Sequence, residues 1–419
     1  MSRSRTSVAQ IFERIVGRRL SITAYDGSSS GPADAPVGIE VRSPLALNYL
    51  LSFPGDLGLA RAYVTGQLGV SGDLYTALRA VAAQVDELSA RDRLWLLREL
   101  GPHHLRRVQL PPEELPGRLR RGLRGLLHSK SRDSSAISWH YDVSNRFYEL
   151  VLGPSMAYTC AVFPTSDASL EEAQAHKFDL VCRKLDLRPG MRLLDVGCGW
   201  GGMVEHAAEH YGVQALGVTL SREQAQWAQK DIVAKGLADR AEVRHLDYRD
   251  VTETGFDAVS SIGLTEHIGA RHLPDYFRFL ASKLSAHGRL LNHCITNPTT
   301  RVPHRSRGFI DRYVFPDGEL EAVGEIVSAM QDNGFEVRHT ENLREHYAAT
   351  LAGWGANLDA HWDEATAEAG VGRGRVWALY MAASRLAFER HEIELSQVLG
   401  VKVDADGDAG MPLRPDWGV

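Results

Sequence analysis

Downstream of about residue 137, short runs of leucine and β-branched residues alternate with longer amphipathic stretches. MRLLDV at 191–196, VQALGV at 213–218, AEVRHL at 241–246, FDAVSSI at 256–262 and GRLLNHC at 288–294 read as strands, and 222–236 and 274–286 as helices. Strands separated by helix-length segments predict a mostly parallel, doubly wound α/β sheet, because parallel neighbours cannot be joined by a tight turn. The first 90 residues read as a smaller α+β domain, with helical spacing at 57–63 and 74–88 and a turn-rich loop, DGSSSGPADAPVG, at 26–38. Prolines 102, 111, 112 and 116 break the segment that follows. The stretch 374–399 reads as one long helix that either packs in a dimer or caps the sheet. The predicted organisation is an N-terminal domain at 1–90, a linker at 91–136, the α/β domain at 137–400 and a tail at 401–419.

Composition changes this picture little. A chain of 419 residues, 44% hydrophobic and 24% charged, is that of a globular protein of two or three domains, not a collagen or a disordered tail. No apolar run approaches the ~18 residues of a membrane span; the best, 43–55, is broken by Asn48 and Pro54. Glu13 and Arg14 interrupt the apolar part of the N-terminus, so a secretory signal is not expected. Four scattered cysteines without a CxxC pair fit a reduced compartment, and the expected location is cytoplasmic. Charge is more informative. The net charge of −6 conceals a segment, 91–132, with eleven Lys/Arg against four Asp/Glu, and RLRRGLRGLLHSKSR within it has six basic residues and no acid. Such a run is either a solvated linker or a surface for anionic phospholipid, which would place the protein peripherally on the inner face of the membrane. No aromatic-rich platform accompanies it, so nucleic acid is not the expected partner.

The most specific local feature is LLDVGCGWGG, 193–202, between a strand and a helix. Gly197, Gly199 and Gly201 allow a tight turn and close approach of a ligand to the helix N-terminus. The spacing is G-x-G-x-G rather than the dinucleotide G-x-G-x-x-G, and Asp195 enters it. It resembles motif I of class I S-adenosylmethionine (SAM) methyltransferases. The next strand ends in GVTLSREQ, where Thr219 and Gln224 offer hydrogen bonds to a ribose and Ser221 is a helix N-cap. In LDYRD, Asp247 suits an adenine amine, and Tyr248 or Arg249 a place beside the ring; a plain surface turn is the other reading.

HYDVSNRFYELVLGPSMAYTCAVF, LLDVGCGWGG, GVTLSREQ, LDYRD, TEHIG, LNHCIT and IDRYVFPDG together resemble the cyclopropane-fatty-acid synthase and mycolic-acid methyltransferase family over roughly 138–400. The resemblance implies a Rossmann-like class I SAM methyltransferase that transfers a methyl to a cis double bond of a phospholipid acyl chain. It adds Tyr158, Thr159 and Leu220 to the cofactor-binding residues. It also implies a bicarbonate ion held by Cys160, Glu266, His293, Ile295 and Tyr347 and acting as a base. Tyr158, Phe309 and Tyr313 are candidate cation-stabilising aromatics. Two departures, Thr265 where the family usually has an aromatic and Gly353-Trp354-Gly355 where it usually has AWY, together with the long N-terminal region and the MPLRPDWGV ending, make the chain look most like the actinobacterial branch that forms 10-methyl acyl chains. That branch implies a 10-methylene product, reduced by a flavin- or NADPH-dependent partner, with closure of a cyclopropane ring from the same carbocation as the alternative; because an acyl chain must leave the bilayer to reach a buried sulfonium, residues 1–90 are expected to handle lipid. A small-molecule methyltransferase would keep the glycine turn but need neither the five-residue cluster nor the basic segment. Two other patterns carry less. His206, Glu209 and His210 fit HxxEH on a helix, but that helix follows the cofactor turn and no third ligand is suggested. DADGDAG opens like a calcium loop, yet Ala409 and Pro415 stand where Gly and Glu belong.

Overall fold

Two sets of apolar residues, far apart in sequence character, bury themselves separately. The computed structural model describes residues 6–52, 56–85, 95, 98–99, 108–114, 144–301, 308–315 and 318–418. The described residues divide into two compact units, one within Met1–Leu119, Arg307–Val314 and Trp362–Leu386, the other within Arg120–Ser306, Phe315–His361 and Ala387–Val419. Most of the 91–136 linker, including RLRRGLRGLLHSKSR, lies outside the described residues.

The first unit has a four-stranded sheet in the order β2-β1-β3-β4, from β1 (Ser21–Ala24), β2 (Ser29–Ser30), β3 (Gly38–Val41) and β4 (Leu68–Ser71). Its core gathers Phe12, Leu20, Ile22 and Leu47, each at most 1% exposed. The helix Val8–Val16 begins in a capping box, with Ser7 and Gln10 satisfying each other's backbone N–H groups. Arg61, wholly buried on the helix Asp56–Val64, donates two hydrogen bonds to Glu114 at 2.7 and 2.6 Å. Arg312 and Tyr313 donate to the same carboxylate, each at 3.0 Å. A buried pair of this kind is costly to break, because the surviving partner would be an uncompensated charge.

The second unit holds a seven-stranded sheet, β10-β11-β9-β8-β5-β6-β7, from β5 (Arg192–Val196), β6 (Gln214–Thr219), β7 (Ala241–His245), β8 (Phe256–Ile262), β9 (Leu284–Thr296), β10 (Glu336–Asn342) and β11 (Glu394–Val401). The β9-β8-β5-β6-β7 pairs are parallel, as the alternation of elements predicts, and β11 runs antiparallel to both β9 and β10. Successive residues face opposite layers: Leu193 packs under the helices Leu170–Leu185, Gly202–Tyr211 and Arg222–Ala234, and Leu194 under Leu273–Lys283 and Val323–Gln331.

The partition differs from the linear one at one place: Trp362–Leu386, within the expected 137–400 domain, belongs to the N-terminal unit, whereas 401–418 continues the second. The long helix expected at 374–399 is also corrected. Helix Val371–Glu389 ends, His391 adopts a left-handed φ of 58°, and β11 follows. Leu395 to Val401 are all buried, so the segment is apolar on both faces and its periodicity does not distinguish strand from helix. Among the described residues no helix is long and apolar enough to cross a membrane.

Leu399 on β11 is fully buried. Leu399→Ala is expected to lower the unfolding free energy by about 2–5 kcal/mol, measured by urea denaturation. A loss within ~0.5 kcal/mol would fit a surface position instead.

Candidate active site

The order of the parallel strands reverses between β5 and β8, and open α/β sheets bind ligands outside the carboxyl ends of their strands at such a point. There the structure has a cleft of about 540 Å³, its open mouth included, lined by Met156, Tyr158, Thr159, Asp195, Gly197, Gly199, Trp200, Gln224 and Gly263 among others. The glycines of the turn do different work. Gly199 (φ 55°) faces open space, where an added Cβ would meet nothing within 4 Å. Gly201 (φ 87°) is absent from the lining, and a Cβ there would lie 2.9 Å from that of Ala228. It permits close packing of the helix Gly202–Tyr211 rather than approach of a ligand.

Around the cleft, buried polar groups are tied in pairs. Ser260 donates to Asp195 at 2.6 Å, and burial pushes the Asp195 carboxyl up to about 6 despite that bond and the nearby Lys177. Lys177, wholly buried on the helix Leu170–Leu185, donates to Thr159 Oγ1 at 2.9 Å, and burial pulls its pKa down to about 7. Gln174 on the same helix donates to the carbonyls of Ala157 and Thr159, fixing the loop that carries Tyr158. Thr219 donates to Gln224 Oε1 at 2.8 Å, and Ser221 caps the helix, as its position predicts. Thr219 thus supports Gln224, which reaches the cleft. Asp247 accepts from the backbone and guanidinium of Arg249, and Tyr248 packs edge-on against Tyr276 and Phe279. Leu220 contributes a carbonyl 3.1 Å from His245 Nε2.

A chain of hydrogen bonds and strand pairing links four of the five residues of the expected anion site. The Ile295 N–H donates to Glu266 Oε1 at 2.7 Å. Ile295 on β9 pairs with Leu395 on β11, whose carbonyl receives the Leu343 N–H at 2.8 Å. The Leu343 carbonyl in turn lies 3.2 Å from the Tyr347 nitrogen and 3.9 Å from Cys160 Sγ. His293, two residues before Ile295, shares its side of β9. Ile295 differs from expectation in one respect: a buried amide must be paired, and Glu266 takes it. Glu266 Oε2 and His293 Nε2 are buried with no hydrogen-bond partner. Burial pushes Glu266 up to about 7 against its backbone bonds, and holds His293 well below its ordinary value with help from Lys177 and Lys184. Burial likewise raises the Cys160 thiol, making it a small buried group rather than a thiolate. The donor set fits an oxyanion: an imidazole nitrogen, a hydroxyl, a thiol and a carboxyl able to carry a proton near neutrality.

A profile described as mycolic acid cyclopropane synthetase matches residues 128–398. The chain belongs to the mycolic acid cyclopropane synthetase family. Over the full length of both chains it is 55% identical to a probable fatty acid methyltransferase of Mycobacterium tuberculosis. It is 31% identical, over 92% of each chain, to the cyclopropane-fatty-acyl-phospholipid synthase of Escherichia coli strain K12. The crystal structure of mycolic acid cyclopropane synthase CmaA1 complexed with SAH and CTAB is 33% identical, with a TM-score of 0.60 over 64% of this chain and 98% of that one. The fold is that of class I SAM methyltransferases, and this member of the synthetase family is a SAM-dependent methyltransferase.

Three buried residues, Lys177, Lys184 and Gln397, belong to no motif of the synthetase family. Trp354 is wholly buried, its ring 5.3 Å from that of Tyr158 and 6.1 Å from that of Tyr347, with Nε1 unpartnered. Glu321 is buried, pushed up to about 8 by desolvation and then by Glu266 and Glu319. Thr265 donates to Asn292 at 2.6 Å, and Asn292 donates to Cys294, so polar contacts occupy the position where an aromatic was usual. Phe309 and Tyr313 lie in the N-terminal unit, stacked on each other at 5.0 Å. His206 Nε2 is buried and unpartnered, and burial lowers that ring to about 4; Glu209 and His210 are more than half exposed. His287, Asp404 and Asp408 are the one group with metal-ligand spacing among the described residues, around a turn in which Asp404 accepts the N–H groups of Asp406 and Asp408.

Gly201→Ala is expected to lower the denaturation midpoint more than Gly199→Ala, and Gly199→Ala to weaken SAM binding more, as read by denaturation and calorimetric titration. A pH effect follows from Glu266. Its folded value, near 7, exceeds the ordinary 4.5, so the stability it confers is complete below 4.5 and is lost as pH rises through 7. Glu266→Gln should therefore gain stability relative to wild type across that window, in urea midpoints taken at each pH.

Proposed function

We propose that the protein methylates C10 of an oleoyl phospholipid chain, giving a 10-methylene acyl chain that a flavin- or NADPH-dependent partner reductase saturates to 10-methyl. The observation that supports this reading is the two buried, unpartnered atoms Glu266 Oε2 and His293 Nε2, in a site with aromatic walls where burial keeps Cys160 a thiol. An alkene has no acidic proton to remove before attack. It needs alignment with the sulfonium methyl, exclusion of water and a place for a proton afterwards. SAM supplies the methyl, which bonds to C10 and leaves C9 cationic. A hydride shift from C10 to C9 then moves the charge to C10, and loss of a proton from the new methyl forms the exocyclic double bond. Bicarbonate, when bound, supplies a base for that proton. Cys160, Glu266, His293 and Tyr347 would hold it, with Ile295 fixing Glu266. The faces of Tyr158 and Trp354 offer their quadrupoles to positive charge.

Ring closure from the same cation is the second reading, favoured by the match to the cyclopropane synthase of E. coli along most of its length. The Thr265–Asn292–Cys294 contacts support the first, because they put polar groups beside Glu266 at the position where the family usually has an aromatic. The basic segment 91–132 is proposed to meet anionic phospholipid at the inner face of the membrane, bringing the acyl chain to the site.

Incubation with SAM and oleoyl phospholipid vesicles, without reductase, should yield released fatty acids with vinylidene protons by NMR; cyclopropyl protons would establish ring closure instead. Glu266→Gln is expected to reduce turnover by about 10²–10⁴-fold while SAM still binds, and unchanged turnover would remove Glu266 from the base site. Binding to anionic vesicles should weaken as salt rises, and salt-insensitive binding would contradict the role of the basic segment.

A further inference from the structure

His293 and Gln397 stand directly opposite each other in the antiparallel β9–β11 pair, and their side chains meet at 3.1 Å between His293 Nδ1 and Gln397 Nε2. Gln397 is wholly buried, and its Oε1 accepts from Lys184 Nζ at 2.6 Å. Lys184 is also wholly buried, and it pairs with the Glu341 carboxylate on β10. An ammonium only donates, so the oxygen of the Gln397 amide must face Lys184 and its NH₂ must face His293. His293 Nδ1 is then the acceptor of that bond. A neutral imidazole carries one N–H, which places it on Nε2, the buried nitrogen that has no partner in the protein.

We propose that Gln397, oriented by Lys184, is a positioning residue that locks His293 in the Nε2–H tautomer, so that the site presents an N–H donor to a bound oxyanion. Gln397 and Lys184, from a strand and a helix, together decide whether His293 offers a proton or a lone pair. The reversed tautomer would turn a lone pair toward the oxyanion and repel it. Burial and the charges of Lys177 and Lys184 favour the neutral ring, consistent with one N–H and not two. This assignment rests on the reading that His293 faces an oxyanion, and it is independent of which acyl product is formed.

The test is NMR of the full chain labelled with ¹⁵N-histidine, with the His293 signals assigned by their loss in His293→Gln. Wild type is expected to show protonated Nε2 and bare Nδ1, and the Nε2–H signal should shift on addition of ¹³C-bicarbonate. Gln397→Glu, whose carboxylate only accepts, should move the proton to Nδ1, abolish the bicarbonate response and lower kcat by about 10–100-fold with little change in the KM for SAM. Should that variant fail to fold, Lys184→Met serves in its place: it frees the amide to turn over and should give a mixture of tautomers, whereas Lys184→Arg keeps the donor and should restore the wild-type spectrum. A wild-type Nδ1–H tautomer, a tautomer unchanged in both Gln397→Glu and Lys184→Met, or an equal bicarbonate response in wild type and variant would each overturn the proposal. The spectra need no lipid. Failure of wild type to convert oleoyl phospholipid would therefore count against the proposed substrate while leaving the tautomer result readable.

Discussion

The antiparallel register of β11 against β9 is the constraint on which the site depends. It sets Gln397 opposite His293 and Leu395 opposite Ile295, and the Leu395 carbonyl anchors the turn that leads to Tyr347 and lies against Cys160. A slip of one residue would invert every side chain of β11 and send Gln397 to the other layer. Both faces of β11 are buried, so such a slip would set the Gln397 amide in the opposite buried layer, away from Lys184 and His293, without a polar partner there. Packing therefore enforces the alignment on which the proposed chemistry rests.

Burial acts on acids and bases in opposite senses. It raises Asp195 and Glu266 and lowers Lys177, bringing values that are ordinarily several units apart close to neutrality. For the proposed methylation of an alkene this would have a chemical use, because strong nucleophiles and free carboxylates near a cation would intercept it. In the proposed reaction, a site of weakened charges and aromatic faces would tolerate positive charge without bonding to it.

The glycine turn and the five parallel strands were legible because their signals are local: a tight turn needs glycine, and a strand between helices has a bounded apolar run. Ser221 as an N-cap was legible for the same reason. Strand β11 was not, since ELSQVLGV buries both faces and its periodicity resembles that of the helix before it. Lys177, Lys184 and Gln397 were not, because a single lysine or glutamine in a helix or strand looks solvent-facing until its partners, some more than 150 residues away, are placed beside it. The hydrogen bond from the Ile295 amide to Glu266 joins residues 29 positions apart and has no local sequence signal.

The N-terminal unit is not a detachable prefix. It closes only when Arg307–Val314 and Trp362–Leu386 return to it, as in the bond from Tyr313 to Glu114 and the stacking of Arg385 over Tyr75 at 3.7 Å. The chain leaves this unit and re-enters it twice, so no single cut separates the two. A shortened gene starting near residue 120 would encode a helix and a short turn whose partners had been deleted, whereas an insertion at an exposed loop of either unit would leave both intact. Such threading ties the inheritance of one unit to that of the other: recombination can exchange the pair, but a crossover between them breaks the first.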